Sequence, residues 1–314
     1  MVAVNGVMMQ YFHWYLRAED NLWQRVAQEA QALGEAGITA LWLPPADKEM
    51  GGTDYDLDDL GTFDQKGTGR TKYGDRQEYL AAIEALHQNG IEVYADGVLN
   101  HPRGGRTRVF DVSLHNNFHT ASRSGGNYDM RRILQGTLMQ QRPLNAVTFV
   151  ENHESQPLQA LETPVEPWFK PLAYALILLR QEGYPCIFYA DYYGATYEDY
   201  GKDDNTYRVY LPSHRWLIDI FLQVRRQYVY GFQYDYFDHG NCIGWTCLGN
   251  REHPKALAVI MSDGPAGWKW MEVGKPHAKF GDVTKHIDEP VYANEYGWAE
   301  FRCQGGSVSV WVQT

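Results

Sequence analysis

Thr148-Phe149-Val150-Glu151-Asn152-His153-Glu154-Ser155-Gln156 starts apolar and then places two carboxylates, an amide and an imidazole within residues 151–154. A buried parallel strand reads this way where its C-terminal end opens into a polar site. In (β/α) barrels and open α/β sheets, catalytic and binding groups sit at such ends. Two plainer readings fit the same residues: a strand running into a polar loop, and an N-cap cluster before the next helix. The flanking chain has to choose among the three.

Upstream, Val7–Phe12, Ile38–Leu43 and Ile91–Leu99 read as strands, the last with Asn100-His101 at its tip. Leu22–Gly37 carries Leu22, Val26, Ala30 and Leu33 at helical spacing and stops at a glycine; Tyr79–His87 is also helical. Val109–His115 alternates as a further strand, and Asp129–Gln135 as a helix. Downstream come an apolar helix from Pro167 to Gln181, a strand Cys186–Asp191, an acidic loop Glu198–Asp204 and a helix from Pro212 to about Tyr228. This alternation predicts a parallel sheet covered by helices. Beyond Tyr234 the pattern changes. Ile243–Thr246, Ala256–Met261, Trp268–Val273, Glu300–Cys303 and Ser307–Val312 have period two and predict an antiparallel β domain. The expected domains are therefore 1–230 and 231–314.

A net charge of −11 over 314 residues argues against nucleic acid or an anionic membrane as the main partner. Aromatics reach 14%, with 22 Tyr and 10 Trp, which suits sugar faces as well as cores. Cys186, Cys242, Cys247 and Cys303 lack paired metal-ligand spacing and read as reduced structural thiols. No basic n-region precedes an apolar h-region, and no run approaches membrane-spanning length, so a cytoplasmic protein is expected.

Several segments, taken in order, resemble the α-amylase family of glycoside hydrolases, within it the bacterial liquefying and cytoplasmic type. They include Gly6–Tyr15, Tyr55-Asp56-Leu57, Gln65–Gly74, Asp96–His101, Phe110-Asp111-Val112, Gly125–Met130, Thr148–Pro157, Trp168–Tyr174, Gly183-Tyr184-Pro185 and Gly305–Ser309. The resemblance implies an α/β fold with a TIM-like barrel and a C-terminal antiparallel β-sandwich. It also implies retaining hydrolysis of α-1,4-glucans by three carboxylates. Carried over residue by residue, Tyr55, Trp14, His101 and His153 stand at sugar-contacting positions. Glu154 stands at the transition-state-stabilising position, and Asn100 at a calcium position.

This chain departs from the family pattern. Within about half a dozen residues of His101-Pro102 it reaches what resembles the family's sixth strand. The inserted lobe and the strand-four and strand-five segments, with nucleophile and general acid, have no counterpart. Both family aspartates of the surviving motif are glutamates here, Glu151 and Glu154. A retaining glycosidase needs two carboxyl groups about 5–5.5 Å apart and an inverting one about 6.5–9.5 Å. Asp96, Asp111, Glu151, Glu154 and Asp191 are the strand-end candidates. Asp96 reads as a brace for the Asn100-His101 loop, Asp111 and Asp191 as rim or capping carboxylates, and Arg103–Arg108 as a solvated connector.

Most calcium ligands belong to the missing lobe, so Asn100 is only a vestigial position and no cofactor is expected. About six parallel strands cannot keep the eight-strand closure. Either strand three pairs with the sixth-strand equivalent or two edges stay open, and open edges favour a homo-oligomer, most simply a dimer. Three functions stay open. The first is an α-amylase-like pseudoenzyme that binds α-glucan weakly or serves as a scaffold. The second is a reduced hydrolase using a rebuilt carboxylate pair including Glu154, completed across an oligomer interface. The third is a structural relic.

Overall fold

A computed structural model describes residues 5–46, 70–96 and 108–314. Its first half alternates strand and helix: β1 (Met8–Gln10), α1 (Leu22–Ala36), β2 (Ala40–Leu43), a short hairpin of β3 (Arg70–Thr71) and β4 (Gly74–Asp75), α2 (Arg76–Gln88) and β5 (Glu92–Ala95). Then follow β6 (Val109–Phe110), α3 (Val112–Arg123), α4 (Leu138–Gln141), β7 (Ala146–Phe149), α5 (Lys170–Leu178), β8 (Tyr184–Phe188) and α6 (Tyr189–Tyr193). Local chemistry fixes the helix ends. Asp75 accepts from the Glu78 amide at 3.0 Å while Glu78 accepts from the Asp75 amide at 2.9 Å, a reciprocal cap that starts α2. At the end of α1, Gly37 adopts φ +111°, which its missing side chain permits.

Six parallel strands form one curled sheet in the order β5-β2-β1-β8-β7-β6. Strand periodicity divides it into two faces. Met9, Leu41 and Ile187 join the helix-side core with Val26, Leu172 and Phe221. Met8, Ala40, Val147, Phe149 and Cys186 fill the concave side, against Trp42, Phe110 and Tyr184. Among the described residues β5 and β6 do not pair, so the sheet is an open half-barrel whose edges carry Tyr94 (44% exposed) and Val109 (55%).

Four sequence expectations change here. Val109–His115 is strand only through Phe110, because Asp111 caps α3 by accepting from the Leu114 amide at 3.1 Å and turns the chain into a helix. The Cys186–Asp191 strand ends at Phe188, which puts Asp191 on α6. Asp129–Gln135 shrinks to a single 3-10 turn, Met130–Arg132, and the acidic loop Glu198–Asp204 is the end of β9 (Ala195–Tyr200) and most of its connection to β10 (Thr206–Leu211) in a hairpin.

The last parallel-region helix is α7 (Arg215–Tyr228). After it come β11 (Gln233–Tyr236), β12 (Cys242–Cys247), β13 (Leu257–Ser262), β14 (Gly267–Glu272), β15 (Lys279–Asp282), β16 (Val291–Tyr292), β17 (Trp298–Cys303) and β18 (Ser307–Gln313). Six of these form a sheet in the order β11-β12-β13-β18-β15-β16, and β14 pairs with β17. Ala258, Ile260 and Trp311 meet Met271 and Phe301 in the layer between them. This region buttresses α5. The Trp245 indole donates to the Leu179 carbonyl at 2.8 Å, and Arg180 forms a fork with Asp235 at 2.7 and 2.8 Å. Among the described residues no helix is long and apolar enough to cross a membrane.

Candidate functional site at the strand ends

The stretch after β7 is a turn organised by Asn152. Its side-chain oxygen accepts from the amides of Glu154 at 3.0 Å and Ser155 at 2.8 Å. This turns Glu154 outward into solvent, while Glu151, His153, Ser155 and Gln156 are buried. Among the described residues Glu154 is the only carboxylate bordering a cavity of about 250 Å³ that it shares with His115, Asn116, Asn152 and Ser155.

Glu151 belongs to the interior. One of its oxygens accepts from the Ser155 hydroxyl at 2.7 Å. The other accepts from the Val165 amide at 3.1 Å and lies 3.3 Å from the Lys170 ammonium. Lys170, the first residue of α5, also pairs with Asp191, whose second oxygen accepts from the Tyr174 hydroxyl at 2.8 Å. One buried cation thus stands between two buried carboxylates. Burial pushes the Glu151 carboxyl up to about 7; Lys170 opposes the rise and Asp191 adds to it. Burial also disfavours the Lys170 ammonium, but the two carboxylates outweigh it and raise its pKa.

His153 forms the polar end of an aromatic platform. The Gln10 amide donates to the Phe12 carbonyl at 3.1 Å and to His153 Nδ1 at 3.0 Å, so the neutral ring carries its proton on Nε2. Trp14 stacks parallel to the ring at 6.1 Å and 6°, and Trp42 meets it edge-on at 5.6 Å. Burial lowers the His153 pKa to about 4, and the same cause lowers neighbouring His13, stacked on Tyr189, to about 4. Beside them Tyr15 stacks on Tyr197 at 4.0 Å and donates to Asp199 at 2.7 Å. A flat, half-buried ring surface edged by fixed donors suits a pyranose ring.

The structure therefore brings Trp14 and His153 together and sets Glu154 apart on the surface. Tyr55, Asn100 and His101 lie outside the described residues, as does the loop assigned to Asp96. Asp111 is a capping carboxylate; its other oxygen accepts from the Met139 amide at 2.6 Å. Asp191 is not at the rim, because its charge is neutralised inside the fold by Lys170. Sequence reasoning assigned no role to Lys170, Tyr174, Gln10 or His13; a lysine leading the apolar run of α5 is the signal that could have found the first. Among the described residues no group of three or more His, Cys, Asp or Glu is placed to hold a metal ion.

A curled parallel sheet with a ring platform and polar turn at its strand ends, followed by antiparallel sheets, defines the class of α-amylase folds. α-Amylase I of Eisenia fetida, solved as a mutant with maltohexaose, shares this fold at TM-score 0.69 and 11% identity, covering 98% of this chain and 97% of that one. Comparison with protein-family models finds no match. The α-amylase of Geobacillus stearothermophilus is 34% identical over 488 aligned positions, covering 98% of this chain and 87% of that protein. The cytoplasmic α-amylase of Escherichia coli is 31% identical, covering 98% and 99%. This chain belongs to the α-amylase family. The aligned spans exceed its 314 residues, so these relatives carry internal residues with no counterpart here.

Proposed function

We propose that this chain recognises α-glucans at the Trp14–His153 platform, as a member of α-glucan metabolism that does not carry out the family's retaining hydrolysis. The observation that carries the reading is the isolation of Glu154. Among the described residues it alone of the carboxylates borders its cavity, whereas Asp111, Glu151 and Asp191 are buried and bonded within the fold. Without a second carboxyl near the reacting bond there is neither a nucleophile nor a proton donor. Relatives named as α-amylases and as a glucan 1,4-α-maltohexaosidase support the ligand class. Asn100 does not contribute calcium binding in this reading, and no cofactor is required. The cytoplasmic relative and the four free thiols support a cytoplasmic location.

Reducing-sugar release from soluble starch by the chain and by Glu154→Gln tests the reading. Neither should exceed the blank. Release that Glu154→Gln abolishes would establish the alternative, a reduced hydrolase with a rebuilt carboxylate pair. Calorimetry with maltohexaose should show weak binding, and heat-silent mixing at high ligand would leave only a structural relic. The open edges β5 and β6, with Tyr94 and Val109 exposed, favour a homodimer. A monodisperse monomer in light scattering would count against it.

A further inference from the structure

Cys242 opens β12 and Cys303 closes β17, on the two facing sheets of the C-terminal region. Both belong to the apolar layer between those sheets. Gly267 is the residue paired with Cys303 across β14 and β17. A methyl group placed on Gly267 would lie 2.5 Å from Cys242 Sγ and 3.9 Å from Cys303 Sγ. Cys242 Sγ therefore has room only because residue 267 has no side chain, and Cys303 Sγ lies within van der Waals reach of the same point. The nearness of the two thiols, helped by the Lys269 ammonium and opposed by its ion-pair partner Asp238, holds the Cys242 thiol below its ordinary pKa while Cys303 rises. Cys242 and Lys269 also border an open cavity of about 510 Å³, with Asp238, His239 and Trp268. Cys186 and Cys247 lack this setting: burial pushes both up to about 12.

We infer that Cys242 and Cys303 form a modification site, a dithiol that a low-molecular-weight disulfide entering the Lys269 cavity converts to a cross-sheet disulfide. Cys242 Sγ, as thiolate beside Lys269, attacks one sulfur of the incoming disulfide. The S–S bond breaks, one thiolate leaves, and a mixed disulfide forms on Cys242. Cys303 then loses its proton to solvent and attacks Cys242 Sγ, expelling the second thiolate. Two protein thiols are oxidised, one external disulfide is reduced to two thiols, and no other oxidant is needed. The bond ties β12 to β17 and closes the chain from 242 to 303, which restricts the unfolded ensemble.

The test incubates the native chain with oxidised glutathione, blocks remaining thiols after unfolding, and maps peptides without reduction. Chymotryptic cleavage after Trp245 separates Cys242 from Cys247. The expected map has one Cys242–Cys303 linkage with Cys186 and Cys247 blocked, and a raised Tm that a reducing agent reverses. Cys303→Ser should instead retain glutathione on Cys242. Four free thiols in the treated chain, or a wild-type glutathione adduct on Cys242 without a cross-link, would overturn the inference even if the variant failed to fold.

Discussion

Lys170→Met isolates what the buried cation does. In the native chain its ammonium faces Glu151 at 3.3 Å and pairs with Asp191, and all three side chains are almost wholly buried. Methionine keeps the volume of the stem and removes the charge, leaving two carboxylates facing each other in a dry interior. Removing one partner of a buried ion pair costs about 3–5 kcal/mol, because the remaining charge has lost its compensation. Protonation of Glu151 is the available relief. Its pKa, already about 7 with the cation present, should rise further without it. The loss should therefore be largest near pH 8 and smaller near pH 5.5. Urea unfolding of both chains at the two pH values measures it. A loss below about 1 kcal/mol at pH 8, or a loss that grows on acidification, would refute the assignment of Lys170 as the counter-charge.

Acidification should expose buried imidazoles. His13 and His153 have pKa values lowered to about 4, so each contributes stability that is present above about 6.5 and is lost as pH falls toward 4. The shift corresponds to about 3 kcal/mol for each ring. Glu151 has the opposite sign: its contribution is present below about 4.5 and is lost as pH rises through about 7. These two rings, with His115 and His214 lowered by burial in the same direction, outweigh the one carboxyl and predict a net rise in urea midpoint from pH 4.5 to 6.5, flattened in His153→Gln; an unaltered slope would show that the ring is charged in the fold. Asp111→Ala strips the cap of α3 and orphans the Leu114 and Met139 amides, for a loss of about 2–3 kcal/mol by thermal or urea unfolding. Trp14→Ala should weaken maltohexaose binding by about 1 kcal/mol, roughly fivefold, with Tm nearly unchanged; calorimetry reads both. Chelation with EDTA should leave Tm where it was, and a drop would point to a bound divalent cation.

The β-α alternation and the strand ends were legible because period-two and helical spacing leave their marks in sequence over a few residues. Five period-two stretches in the C-terminal region correspond to β12, β13, β14, β17 and β18. Boundaries were less legible where one side chain outweighs a pattern. Val109–His115 alternates like a strand, but Asp111 supplies two acceptor bonds that begin α3 and brace α4. At the site, the resemblance singled out Glu154, but the residues alone did not tell which glutamate faces solvent and which the interior. Separation depends on Asn152, whose turn sends Glu154 out and Glu151 in. Lys170 meets Glu151 and Asp191 only through the packing of α5 between β7 and β8. That is a long-range relation with no local signature.

The position of those supports explains how a family motif keeps its shape beside missing strands. The turn after β7 is tied to β1 through Gln10 and to α5 through Lys170, and indirectly to α6 through Asp191. Trp14 and Trp42, which frame His153, follow β1 and belong to β2. Each anchor lies on the β2-β1-β8-β7 side of the sheet, and none requires a strand beyond the β5 or β6 edge. The side chains that fix the platform are therefore retained by the same packing that retains the fold. The carboxylates that would attack and protonate a glycosidic bond belong, by resemblance, to the segments absent between β5 and β6. On the function proposed above, binding and chemistry are separable. Substitutions on the β1–β7 side should alter glucan affinity, and no single substitution among the described residues should create hydrolysis.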